Sequence, residues 1–154
     1  MAIKLPDLNE RFEVVLKIDS AIDSEKCSSD DYNEYLKTGN EGLLHLKEEA
    51  TRFVMTKTLN YKNAKKIQRA QFSSNDGKPE FDFSSIMEEV RLSLVDIKNP
   101  ASVPKEDHIE FKQHGEGGAS DDLMAKLVAV GAVMDLWTAL KNSAVKSDAL
   151  VKKN

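Results

Sequence analysis

Hydrophobic positions alternate early in the chain and fall into helical spacing later. FEVVLKID (12–19) puts Phe12, Val14, Leu16 and Ile18 on one side at period two, the pattern of a half-buried strand. SAIDSEKCSSDDYNEYLKTGNEG (20–42) is polar and acidic. Within it, Ser29 is placed to cap a short helix with Tyr32, Tyr35 and Leu36 on one side, ended by Gly39. The rest of 20–42 predicts an acidic surface excursion. In LLHLKEEATRFVMTKTL (43–59), Leu44 and Leu46 alternate as in a strand, yet Leu43, Leu46, Ala50, Phe53 and Val54 also form a helical stripe. β-Branched and aromatic residues in TRFVMTKTL favour a strand there, with Phe53 and Met55 on one face. Residues 43–49 fit either template.

Beyond residue 60 the spacing is helical. Asn60 can cap YKNAKKIQRAQF, which stops at the turn-rich SSNDGKP with its Asp76-Gly77 step. In FDFSSIMEEVRLSLVDIKNP (81–100), Ser85 stands as a cap and Glu88 as its capping-box partner. Ile86, Val90, Leu94 and Ile97 then recur at helical spacing until Asn99-Pro100. The following stretch, with Pro104 and three glycines, predicts a mobile linker over 101–119. Ser120 caps one long helix, DDLMAKLVAVGAVMDLWTALKNSAVK, with Asp121 and Asp122 at its positive end and Lys141 and Lys146 toward its negative end. One side of it carries Leu123, Leu127, Val130, Met134 and Trp137, while Val128, Val133, Leu136 and Leu140 lie elsewhere. A helix apolar on so many sides is central to a core or shared with a partner. Strands first and helices after predict an α+β fold, a small N-terminal antiparallel β element followed by a mainly helical bundle. Residues 1–146 form a single domain and 147–154 a frayed tail.

Composition narrows the function classes. At 154 residues the chain can bury a core without metals or disulfides. A net charge of −4 does not mark a general nucleic-acid binder. Cys27 is alone, which excludes an internal disulfide and fits a reducing compartment. MAIKLPDLNERFEV has no apolar segment of the secretory type, and no apolar run approaches the roughly 18–20 residues that span a bilayer. These features place the chain in cytosol, away from membranes.

Reactive constellations are few. Glu106, His108, Glu110 and His114 are the nearest to a metal cluster, but they sit in the linker without cysteines and read as solvated residues. His45, among leucines, reads as a residue at the edge of the core, because no Ser or Cys nucleophile motif accompanies it. Acidic neighbours around Cys27 raise a thiol pKa and do not activate it. HGEGGASDD leads glycines into a helix start, but Asp121 and Asp122 occupy the place of a phosphate, so the glycines read as spacing. The one patterned surface is basic: Lys62, Lys65, Lys66 and Arg69 fall at i, i+3, i+4 and i+7 on one helix face. It is either a solvated face or a surface for an acidic partner, with nucleic acid the least favoured. These residues predict a protein without catalytic, metal or cofactor chemistry.

The order RFVMTKTLNYKNAKKIQRAQ, turn, FDFSSIMEEVRLSLVDIKNP, linker and DDLMAKLVAVGAVMDLWTALKNS resembles the tail assembly chaperones of long-tailed bacteriophages, over roughly residues 50–142. The acidic stretch 20–42 is longer than that family's pattern. The resemblance implies a small, mostly helical accessory protein of the host cytoplasm. Such a protein coats the tape measure protein, helps deliver tail tube subunits and is absent from the virion. It gives the basic face, together with Met124, Met134 and Trp137, a partner-binding role, and leaves homo-oligomerisation open. It also implies a longer frameshifted form, for which codons of Lys152-Lys153-Asn154 offer an A-rich site. A structural head-completion or tail-joining protein, or a small host-takeover inhibitor, are the alternatives.

Overall fold

The computed structural model describes residues 10–56, 83–112 and 118–152. The fold is α+β, with a small antiparallel sheet and a larger helical part. Strands β1 (Arg11–Val14), β2 (Arg52–Thr56) and β3 (Leu94–Lys98) pair in the order β1-β2-β3. Among the described residues the helices are α1 (Ser29–Thr38), α2 (Phe83–Ser93), α3 (Asp121–Ala129) and α4 (Ala132–Lys152).

Register explains which strand residues face the helices. Val14 and Ile97 both stand opposite Phe53, and Phe12 and Leu94 both stand opposite Met55, so these six share the inner face. On β3, Asp96 pairs with Val54 but Leu94 pairs with Met55, which leaves Val95 without a partner in the ladder. This bulge lets Leu94 and Ile97, three residues apart, point inward together. Their spacing predicts a continuing helix; instead α2 ends at Ser93 and the chain passes directly into β3. The helix also begins earlier than its capping pattern predicts. Ser85 is buried within it, and Glu88 pairs with Arg91.

The first strand is shorter than its alternation predicts. Val14, Val15 and Leu16 are all buried, whereas Ile18 is 63% exposed. Tyrosines on α1 cause the change. The Tyr32 hydroxyl donates to the Val15 carbonyl at 2.9 Å, and the Val15 N–H donates to the Tyr35 hydroxyl at 3.0 Å. Both backbone groups of Val15 are thereby taken by side chains, and the ladder stops. The same contacts tie the helix to the core, Ala21 and Ile22 are buried before it, and the remainder of 20–42 lies at the surface. Its helix starts one residue earlier than expected, with Ser28 as cap and Asp31 completing a capping box, and it ends at Gly39 in the left-handed conformation. Residues 43–49 are neither strand nor helix: a 3-10 turn over Glu41–Leu44 precedes a single bridge between Leu46 and Ile22. His45 takes a positive φ of 50° there and is exposed, not at the core's edge.

The described parts of the expected linker, 101–112 and 118–119, make several hydrogen bonds. Asn99 exchanges two side-chain hydrogen bonds with the Ile109 backbone, each 3.0 Å, and His108 Nε2 lies 2.8 Å from the Val103 carbonyl. The Ala119 N–H donates to the Arg91 carbonyl at 2.9 Å, which fixes the entry to α3 on the end of α2.

The predicted single long helix is two. It breaks at Val130-Gly131, where Gly131 adopts φ 71°, and the α3 and α4 axes are bent by 101°. Ser120 caps α3 as its sequence predicts. After the break, Ala132, Val133, Leu136, Ala139 and Leu140 form the buried stripe of α4, which packs against α1, α2 and β1. The helix continues to Lys152, through most of the segment expected to fray.

Candidate functional site

Three of the six exposed large hydrophobic residues among those described, Val128, Val130 and Met134, lie around the break at Gly131; Ile18, Phe83 and Ile109 are the others. A straight helix would carry Val130 and Met134 on the Leu123–Leu127 stripe. Changing the axis by 101° leaves Leu123 and Leu127 in the core and turns the residues around the corner outward. Val128 is 38% exposed, Val130 49% and Met134 43%. Glycine is the residue that permits this geometry, because a left-handed conformation carries no Cβ penalty there. Lys126, exposed and paired with Asp122 at 3.1 Å, flanks the corner.

The expected partner-binding residues divide on this geometry. Met134 belongs to the elbow. Met124 is 3% exposed and packs in the core, which corrects its assignment to a partner surface. Trp137 is partly buried, and its indole N–H donates to Glu89 Oε2 at 3.1 Å. Glu89, itself buried on α2, also pairs with Lys141, whose Nζ stands 5.7 Å from the Trp137 ring centroid. Trp137 is thus a strut between α2 and α4. Lys62, Lys65, Lys66 and Arg69 lie outside the described residues, as do Asp76-Gly77 and His114. Val128 and Val130 are the residues whose exposure the sequence pattern misses. Gly131, inside an otherwise strong helical run, is the signal that points to them.

On the far side of α4 lies a groove of 340 Å³ between α4, β1 and the end of α1. Phe12, Val14, Tyr35, Leu36 and Ala139 give it apolar walls, and Glu13 and Glu41 are its charged lining. Arg52 on β2 bridges those two carboxylates, bonding Glu41 and approaching Glu13 at 3.7 Å, and Lys98 reaches Glu13 at 2.5 Å. The hydrogen bond that Arg52 donates to Glu41 is the main cause of its raised pKa. Partly exposed pairs of this kind contribute little to stability but order the surface.

Burial is the chief perturbation of Cys27, Tyr32, Tyr35 and Asp135, whereas Arg52 and Arg91 are raised first by hydrogen bonds to Glu41 and Glu88. The Cys27 thiol is pushed up by burial first and by Asp31 second, in keeping with its acidic surroundings. Among the described residues no group of three or more His, Cys, Asp or Glu side chains is placed to hold a metal ion. No single helix among them is long and apolar enough to cross a membrane.

Asp135, in the first turn of α4, is half-buried, and burial raises its pKa against the opposing influence of Lys17. A raised carboxyl pKa means that the folded state holds its proton more tightly than the unfolded state. The resulting stability is fully present below the unfolded pKa and is lost as pH rises through the folded one. Asp135→Asn is therefore expected to raise Tm at neutral pH, with the gain over the parent shrinking as the buffer is acidified. Calorimetric scans of both proteins across that range check it.

Compared with models of protein families, with curated proteins and with solved structures, the chain matches none of them. The arrangement itself offers an exposed apolar corner for recognition, whereas the groove's apolar walls Val14, Tyr35, Leu36 and Ala139 are largely buried.

Proposed function

We propose that this protein is a non-enzymatic tail assembly chaperone of a long-tailed bacteriophage. In this role it binds the tape measure protein, keeps its apolar helices soluble and helps recruit tail tube subunits in the host cytoplasm. The observation that carries the reading is the elbow, where Val128, Val130 and Met134 are exposed within seven residues. Clustered apolar exposure rimmed by polar groups is a recurring mark of protein-binding surfaces. An apolar helix face of a partner is the occupant this reading assigns to it, since an amphipathic helix docks by laying its apolar face on an apolar surface.

The segment order that resembles the family supports the same reading, although two segments take unexpected shapes. RLSLVDIK is a helix-to-strand junction, and 121–146 is a bent pair. The bend is what brings the three apolar residues to the surface.

Affinity capture of the tape measure protein tests the proposal. Met134→Glu should leave the melting transition of the free protein nearly unchanged, because Met134 is an exposed side chain. It should weaken capture at least about tenfold, or 1.4 kcal/mol. Equal capture by the two proteins would remove the elbow from the interface.

A further inference from the structure

Beside the elbow stands a carboxylate with no partner of its own. Asp135 follows Met134 in the first turn of α4 and is half-buried. At 3.6 residues per turn the two side chains stand about 100° apart around the helix, so Asp135 borders the apolar corner. Among the described residues no donor hydrogen-bonds its carboxylate, and burial and Lys17 are the influences on it. The groups that face it are engaged elsewhere. Lys17, in the turn after β1, donates its ammonium to Ser29 Oγ at 3.2 Å. Tyr32, on α1, lies close enough to feel the Asp135 charge, but its hydroxyl donates to the Val15 carbonyl.

The surrounding charge has the same sign. Residues 121–135, which contain the whole corner, carry three carboxylates, Asp121, Asp122 and Asp135, against one ammonium, Lys126. Lys126 pairs with Asp122 at 3.1 Å. Asp121 opens α3, roughly 13 Å along the helix from Val130, and so beyond the Debye length of about 8–10 Å. Asp135 is therefore the charge that an occupant of the elbow meets. An apolar surface laid over Met134 would strip water from this carboxylate and leave it unpaired, which is costly. An acidic surface would add repulsion to that cost, whereas a cation would offset it. The unpaired charge also weighs on the free protein, as the rise in Tm expected for Asp135→Asn measures, and such a trade of stability is common at binding sites.

We infer that the elbow selects an amphipathic helix whose apolar face is flanked by lysine or arginine, and that this cation pairs with Asp135. The inference rests on the elbow being a docking surface and adds what that surface discriminates. Apolar contact at Val128, Val130 and Met134 holds the helix, while Asp135 rejects helices whose apolar face is flanked by acidic residues. Salt weakens the discrimination more than the apolar contact itself.

Fluorescence anisotropy with two synthetic helical peptides tests this on the full chain. Both carry the same leucine face, one flanked by lysines and the other by glutamates. The wild type should bind the lysine peptide at least about tenfold more tightly at low salt. Asp135→Asn, isosteric and expected to be at least as stable as the parent, should lose most of that preference. Asp121→Asn changes the net charge equally and should retain it. Met134→Glu should bind both peptides poorly. Equal affinity of the wild type for the two peptides overturns the inference and leaves the elbow a docking surface. So does a preference that Asp135→Asn keeps, or that Asp121→Asn lowers as much. If neither peptide binds, or if Met134→Glu binds as the parent does, the elbow itself is not a helix-docking surface and both readings fall.

Discussion

Leu136→Ala is expected to destabilise the protein by roughly 2–5 kcal/mol, whereas Val130→Asp changes stability by no more than about 0.5 kcal/mol. The contrast follows from the break at Gly131. Leu136 is fully buried in the middle of the α4 stripe, where truncation removes packing on α1 and α2 and leaves a cavity. Val130 stands at the corner with about half its surface in water, so a carboxylate there remains solvated. A straight helix over 120–146 would give a different pattern, with Val130 in line with Leu123 and Leu127 and an aspartate there buried at great cost. Thermal melts separate the two, at about 2–4 °C of Tm per kcal/mol for a chain of this size. Comparable losses from both substitutions would contradict the bend.

The second large effect concerns two glycines that differ only in their surroundings. Gly118 and Gly131 both adopt left-handed backbone, at φ 88° and 71°. A Cβ at Gly131 would meet nothing within 4 Å, so Gly131→Ala should cost about 1–2 kcal/mol, the penalty of the conformation itself. At Gly118 a Cβ would lie 2.6 Å from the Arg91 carbonyl oxygen and 3.2 Å from the Leu92 Cα. Those atoms are backbone and cannot swing aside, and the Arg91 carbonyl also accepts the Ala119 N–H that docks the start of α3. Gly118→Ala should therefore cost about twice as much as Gly131→Ala or more, in denaturant melts with an unchanged slope. Equal costs would mean that the junction of α2 with α3 is looser than this geometry.

Where sequence and structure agree, local rules were sufficient. The tyrosine helix ended by Gly39, the Ser120 cap and the strand at Arg52–Thr56 follow from caps, turns and β propensity. Agreement ends where tertiary contacts override the local pattern. Leu94 and Ile97 imitate helical spacing because a bulge at Val95 absorbs one residue, and nothing local announces a bulge. The strand pattern at 12–19 fails after Val14 because tyrosine hydroxyls from α1, far along the chain, take the Val15 backbone. Gly131 is visible in sequence, but a single glycine within a strong helical run costs only about 1 kcal/mol and is often tolerated. The candidate site inherits that ambiguity. Met134 stays on the surface, while Met124, ten residues earlier on the other arm of the bend, goes to the core.

The bend also bears on the proposed function. An exposed apolar corner is a hazard in a free protein and an asset in one whose task is to cover another chain's helices. The most direct test of the proposed function is the solubility of the tape measure protein of the phage to which that proposal assigns this chain, expressed alone, with this chain, and with its Met134→Glu variant. The tape measure protein should move into the soluble fraction with the wild-type chain and remain largely insoluble alone or with the variant. A soluble fraction that is the same in all three cultures would contradict the chaperone account.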